Sequence, residues 1–81
     1  MNRVYIIAMI TECGKIQFII EKQFEAICIL TVQEENNIFR LQLRGTLCNE
    51  VPKLKIGDMI LVEGAMTQRG EILVHQLQIL K

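Results

Sequence analysis

The segment from Ile56 to Gly64 limits the possible folds of this chain more than any other. Gly57 and Asp58 form a turn pair, because glycine adopts positive φ freely and aspartate bonds its own backbone, and a strongly apolar strand follows at once. Gly64 interrupts that strand, and a glycine inside a strand marks a bulge or a sharp bend. A turn followed by a bent strand is typical of a small closed β-barrel, so we expect a barrel rather than a flat sheet.

The remaining turn residues divide the chain into short extended segments. These segments cover residues 4–11, 15–20, 25–33, 38–44, 59–68 and 71–80. The only helical segment is 46–55, and Pro52 limits it to about two turns. Strands throughout, with one short helical segment between strands 3 and 4, predict an all-β fold, the five-stranded oligonucleotide/oligosaccharide-binding (OB) barrel. An SH3-like barrel also has five strands, but it lacks that helical insert. We expect a single OB-fold domain over residues 1–81.

The charge balance and the cysteines narrow the possible partners and the compartment. Nine basic and nine acidic residues give zero net charge, so any attraction to nucleic acid must come from a local group of basic residues. Three cysteines without metal or redox spacing indicate a reduced, cytoplasmic chain. The apolar runs are far shorter than the roughly 20 residues of a membrane span, so we expect no membrane association and no signal peptide.

The third strand alternates strictly between apolar and mostly polar residues. Phe39, Leu41 and Leu43 occupy one face, which we expect to lie in the core. The opposite face contains Ile38, Arg40, Gln42 and Arg44. Two arginines alone are more often an ordinary exposed face. In an OB barrel, however, the second and third strands bind the ligand, and arginine both pairs with phosphate and stacks on bases. This face is therefore the predicted nucleic-acid surface.

The first strand is apolar on both faces, although the interior of a small barrel needs only one. The surplus face must be covered, because exposed apolar strands promote aggregation. Loops that fold over it are the alternative, but the loops of this chain are short. We therefore expect self-association through the apolar first strand, which contains Val4, Tyr5, Ile6, Ile7 and Met9.

Several segments together resemble the bacterial single-stranded DNA-binding protein family, including its primosomal replication relatives. The similar segments are residues 1–7 (MNRVYII), 14–18 (GKIQF), 26–32 (AICILTV), 41–47 (LQLRGTL) and 55–58 (KIGD), with Val62-Glu63-Gly64. The last two are the most specific. The resemblance covers nearly the whole chain and implies an OB fold, sequence-tolerant binding of single strands, and dimers or tetramers built through the first strand.

The chain also departs from that family in its base-stacking residues. It has no Trp, and Ile38 and Arg44 stand at two of the family's aromatic positions. Phe18 matches the family's tyrosine, and a core role for Phe18 is equally compatible with the sequence. Stacking contributes roughly 1–3 kcal/mol per base, so its loss predicts weak binding that is mostly electrostatic and falls with salt. The predicted nucleic-acid-binding residues are Arg3, Lys15, Phe18, Lys22, Ile38, Arg40, Gln42, Arg44 and Arg69.

No group of residues indicates catalysis, a metal or a cofactor, since His75 is the single histidine and has no partner at motif spacing. The sequence thus predicts a non-catalytic, homo-oligomeric single-strand-binding module that acts in DNA replication, repair or mobile-element maintenance. The alternative is an OB-fold adaptor or assembly subunit that has lost strong nucleic-acid binding. The sequence does not decide DNA against RNA, or dimer against tetramer.

Overall fold

A computed structural model describes residues 2–19 and 25–80 of the chain. Its elements are β1 (Arg3–Cys13), β2 (Gln17–Ile19), β3 (Glu25–Glu34), β4 (Asn37–Arg44), a 3₁₀ helix (Gly45–Lys53), β5 (Met59–Met66) and β6 (Ile72–Leu80). The fold is therefore mostly β with one short helix, as predicted. The helix ends one residue after Pro52. None of the helices in the described ranges is long and apolar enough to cross a membrane.

The five long strands close into a ring in the order β1–β3–β4–β6–β5 and back to β1. The β4–β6 pair is parallel and the other pairs are antiparallel. The short β2 is a sixth strand, and it pairs with the beginning of β3. This all-β ring, with its helix between the third and fourth long strands, confirms the predicted OB-like barrel.

The first strand closes the ring because it pairs with two neighbours in succession. Residues 3–9 pair with β5, and from Met9 onward the strand pairs with β3, with a register shift between Ile10 and Glu12. The turn before β5 fixes this bend: the Ile10 N–H donates to the Asp58 carbonyl at 2.9 Å, and the Gly57 N–H donates to the Ile10 carbonyl at 2.8 Å. Gly57 has a φ of +98°, which explains why the predicted turn contains glycine.

Gly64 lies where β5 and β6 approach most closely. A register shift in this pair falls between Glu63 and Gly64. A Cβ atom at Gly64 would lie 2.2 Å from the Leu73 carbonyl oxygen and 2.9 Å from the Ile72 side chain. The predicted irregularity at this glycine is confirmed, and the cause is the close approach of a neighbouring backbone.

The inward side chains of the ring form one aliphatic core. Leu41 and Leu43 of β4 are fully buried and Phe39 packs against them, as the alternation predicts. The other buried residues are Ile6, Ala8, Ile10, Cys28, Leu30, Val32, Cys48, Leu54, Ile60, Val62, Ile72 and Val74. The predicted self-association residues consequently divide into two groups. Ile6 is in the core and Val4 packs against it, so these two are not available to a partner; Tyr5, Ile7 and Met9 point outward.

We expect Gly64→Ala to destabilise the fold by about 2–3 kcal/mol, because the new methyl group collides with a backbone carbonyl that the β5–β6 pairing holds in place. Gly70→Ala is the matched control. Gly70 has a φ of +79° and no atom within 4 Å of its would-be Cβ, so only its backbone conformation is penalised, by about 1 kcal/mol. Urea unfolding measures both losses, and equal losses would contradict the close approach at Gly64.

Candidate nucleic-acid interface

The outward residues of β3 and β4 form one continuous surface, which we call the β3–β4 face. Residues directly opposite each other in an antiparallel pair point to the same side of the sheet. The pairs on this face are Ile27 with Arg44, Ile29 with Gln42, Thr31 with Arg40, and Gln33 with Ile38. Their neighbours along both strands, such as Leu30 and Leu41, point into the core. The face therefore combines aliphatic side chains with two guanidinium groups and two amides.

Arg40 is the accessible cation of the face. Its side chain is exposed and lies beside Thr31. Within the described ranges, no carboxylate lies at ion-pair distance from Arg40. Ile38, two residues away on the same face, is 68% exposed. This end of the face thus offers an uncompensated positive charge next to an apolar surface.

Arg44, at the other end of the face, is neutralised by a carboxylate of β3. Its Nη1 lies 3.2 Å from Oε1 of Glu25, and both side chains are about one-third exposed. The Nε atom of Arg44 is buried and has no hydrogen-bond partner among the described residues. Arg44 therefore offers less positive charge to a ligand than the sequence suggests. The sequence does not show this pairing, because Glu25 is 19 residues away in the chain.

A second carboxylate reaches the middle of the face from the end of the β5–β6 turn. Glu71 directly precedes β6, which runs parallel to β4 with Ile72 opposite Leu41. The Nε2 amide of Gln42 donates a hydrogen bond to Oε1 of Glu71. The sequence analysis missed Glu71, since only the parallel β4–β6 pairing brings it to Gln42 across 29 residues.

Two further predicted residues border the β3–β4 face. Lys15 is exposed and follows Gly14, whose N–H donates to the Ile29 carbonyl at 2.9 Å, so it lies along the β3 side. Arg69 is exposed in the turn that precedes Glu71, whose side chain contacts Gln42 of β4. Lys22 lies outside the described residues. Two exposed basic residues therefore lie in chain segments next to β3 and β4.

Two other predicted residues lie elsewhere. Arg3 is on the outer face of β1, with its Nε 3.5 Å from Oε2 of Glu63, and β1 is two strands away from β4 in the ring. Phe18 is 63% exposed, so the core role that the sequence left open for it is wrong. It pairs with Ala26, whose side chain points to the core side of the sheet, and therefore lies on the side opposite the β3–β4 face.

The part of the chain that the structure describes contains neither a metal-binding cluster nor an activated cysteine. No three His, Cys, Asp or Glu residues there lie close enough together to hold a metal ion. Burial raises the pKa of the Cys28 and Cys48 thiols, and burial together with the Asp58 charge raises the pKa of Cys13. A reactive cysteine requires the opposite shift, so these thiols are neutral near pH 7 and poor nucleophiles.

A groove of about 730 Å³ lies between the 3₁₀ helix and the outer face of β5 and β6. His75 lines it together with Glu50 and Glu63. Both carboxylates already pair with basic residues, Glu50 with Lys53 at 3.7 Å and Glu63 with Arg3 at 3.5 Å. Among its described lining residues, the groove therefore has no unpaired carboxylate that would indicate a charged ligand.

No protein-family model matches this chain, and no curated protein matches its sequence. The likeness to the bacterial single-stranded DNA-binding family therefore stays a prediction from the sequence motifs. A functional assignment has to rest on the barrel and on the composition of the β3–β4 face.

Proposed function

We propose that this protein is a non-catalytic module that binds single-stranded nucleic acid on the β3–β4 face. The observation that supports the proposal most is the position of Arg40. It is a guanidinium group without an ion-pair partner among the described residues, on the outer face of the second and third barrel strands, and OB barrels bind oligonucleotides on those strands. Lys15 and Arg69, which are exposed in the adjoining segments, would add positive charge along the path of a bound nucleic-acid strand.

The composition of the face predicts weak and salt-dependent binding. The face contains no aromatic side chain, and stacking on aromatic residues contributes roughly 1–3 kcal/mol per base in single-strand-binding proteins. Arg44 is already paired with Glu25, so few phosphates can be neutralised. Each phosphate contact contributes a slope of about −0.7 to the dependence of log K on log salt for single strands. The affinity of one copy should therefore be low at physiological salt.

Self-association would compensate for weak single sites. Tyr5 and Ile7 of β1 are 61% and 50% exposed, and their neighbours Met9 and Met59 are also exposed. Because β3 pairs with β1 only from Met9 onward, one edge of β1 along residues 3–8 has no partner strand within the described chain. An apolar face beside a free strand edge suits a second copy of this chain. Two or more copies would bind one strand at several sites and so raise the overall affinity.

The alternative function is an assembly subunit or adaptor that no longer binds nucleic acid strongly. The pairing of Arg3 and Arg44 with glutamates favours it, as does the zero net charge. The same apolar face of β1 and β5 would then be the main functional surface. Binding of a single-stranded oligonucleotide at low salt discriminates between the two functions. Roles in replication, repair or mobile-element maintenance belong to the first function only.

We expect Arg40→Ala to weaken binding of a fluorescein-labelled single-stranded oligonucleotide and to reduce its salt slope by about 0.7, since one phosphate contact is lost. Arg44→Ala should have a smaller effect, because Glu25 already neutralises that guanidinium. Fluorescence anisotropy over a range of salt concentrations measures both. Lys55→Ala, which removes an exposed charge before β5, is the matched control and should bind like the wild type. Equal losses for Arg40→Ala and Lys55→Ala would rule out a localised site.

We expect Ile7→Glu to convert the oligomer to a monomer, because it places a charge in the apolar face of β1. Ile38→Glu is the matched control: Ile38 is even more exposed, but it lies on the β3–β4 face, so this variant should keep the wild-type mass. Size-exclusion chromatography with light scattering gives the masses. A monomeric wild type, or dissociation by Ile38→Glu alone, would exclude the proposed assembly surface.

A further inference from the structure

We propose that Glu71 and Gln42 select bases that have an exocyclic amino group, so that the β3–β4 face binds cytosine better than uracil. The inference rests on the proposed function and adds to it the base chemistry that the site accepts. Three properties of the site support it: the position of the Glu71 carboxylate, the acceptor atoms of Gln42 and Glu71 that have no donor in the described part of the chain, and the negative charge of Glu71.

The backbone of Glu71 is fixed on both sides. Its N–H donates to Oγ1 of Thr67 at 3.2 Å, and its carbonyl accepts from the N–H of Thr67 at 2.7 Å. The next residue, Ile72, already pairs with Leu41 of β4. The β5–β6 turn therefore holds the Glu71 side chain beside Gln42, in the middle of the β3–β4 face.

Gln42 and Glu71 are both half-buried, and the hydrogen bond between them leaves one acceptor on each residue without a partner in the described ranges. An ionised carboxylate only accepts hydrogen bonds, so the amide nitrogen of Gln42 is the donor to Glu71 and its carbonyl oxygen points elsewhere. Among the described residues, neither that carbonyl oxygen nor the second carboxylate oxygen accepts a side-chain hydrogen bond. The pair thus presents two acceptors to a bound strand.

Among the described residues, the Glu71 carboxylate has no basic partner, unlike the carboxylate of Glu25. Arg44 neutralises Glu25, whereas the partner of Glu71 is a neutral amide, and no basic group in the described ranges lies at ion-pair distance from Glu71. A phosphate is repelled at this point. A base is accepted only if it donates a hydrogen bond there.

The bases differ in the donors that they offer. Cytosine donates from its 4-amino group, and a glutamate that accepts from this group is a known mode of base recognition. Uracil and thymine have a carbonyl oxygen at the same position, which faces the acceptors of Glu71 and Gln42 unfavourably. Arg40 lies two residues before Gln42 on the same face, so it is placed to contact the phosphate while the base meets Glu71.

The direct test compares oligo-dC with oligo-dU of equal length by fluorescence anisotropy, at low salt and pH 8. The bases of these strands differ in the group at position 4, amino or oxo, and at N3, which accepts a hydrogen bond in cytosine and donates one in uracil. We expect the wild type to bind oligo-dC about fivefold more tightly or better, in line with the discrimination of a good base contact. Glu71→Gln is isosteric but replaces one acceptor with a donor, so the preference should disappear while binding of oligo-dU becomes tighter.

Glu25→Gln is the matched control, because it removes the same charge from the same face without changing the acceptors beside Gln42. This variant should bind both strands more tightly and keep the preference for oligo-dC. Binding without a preference, or a preference that survives Glu71→Gln, would overturn the inference and leave the proposed function intact. If neither strand binds to any of the three proteins at low salt, the proposed function itself is overturned, and the inference with it.

Discussion

The successive pairing of β1 with β5 and β3 is the constraint on which the rest of the structure depends. It turns a six-stranded sheet into a closed ring, and closure buries the inner face of every long strand. The bend at Ile10 makes it possible, and the backbone of Gly57 and Asp58 holds that bend with two hydrogen bonds of 2.8 and 2.9 Å. The turn pair that predicted a barrel from the sequence thus has a direct role in its closure.

Ring closure also separates the two outer surfaces on which the proposed function depends. The outward side chains of β1 and β5 are mostly apolar apart from the Arg3–Glu63 pair, and Tyr5 and Ile7 are 61% and 50% exposed. The outward side chains of β3 and β4 are mixed, with Arg40 as the accessible cation. Because β1 and β4 are not neighbours in the ring, a second copy seated on β1 and β5 would leave Arg40 open. The proposed assembly and the proposed nucleic-acid binding therefore use different surfaces of one small barrel.

The elements that could be predicted from the sequence are those set by local chemistry. Strict alternation placed Leu41 and Leu43 inside and Arg40 outside, and the glycines at positions 57 and 64 marked a turn and a close backbone approach. Each of these follows from a residue and its immediate neighbours, because strand periodicity and backbone freedom are local properties.

The contacts that set the charge of the candidate site could not be predicted in the same way. Glu25 reaches Arg44 across 19 residues and Glu71 reaches Gln42 across 29, so both depend on strand register, which the sequence pattern does not specify between distant segments. The sequence does not decide between core and surface for Phe18, because β2 extends beyond the ring, where alternation no longer separates buried from exposed residues. Glu25 and Glu71 belong to none of the sequence motifs, and they reduce the positive charge of the β3–β4 face.

The measurement that tests the central claim most directly is an NMR titration of the ¹⁵N-labelled protein with a single-stranded oligonucleotide at low salt. We expect the amide shifts to concentrate in residues 27–33, 38–44 and the turn 67–71, and to decrease as salt is added. Shifts confined to β1 and β5, or no shifts at low salt, would contradict it.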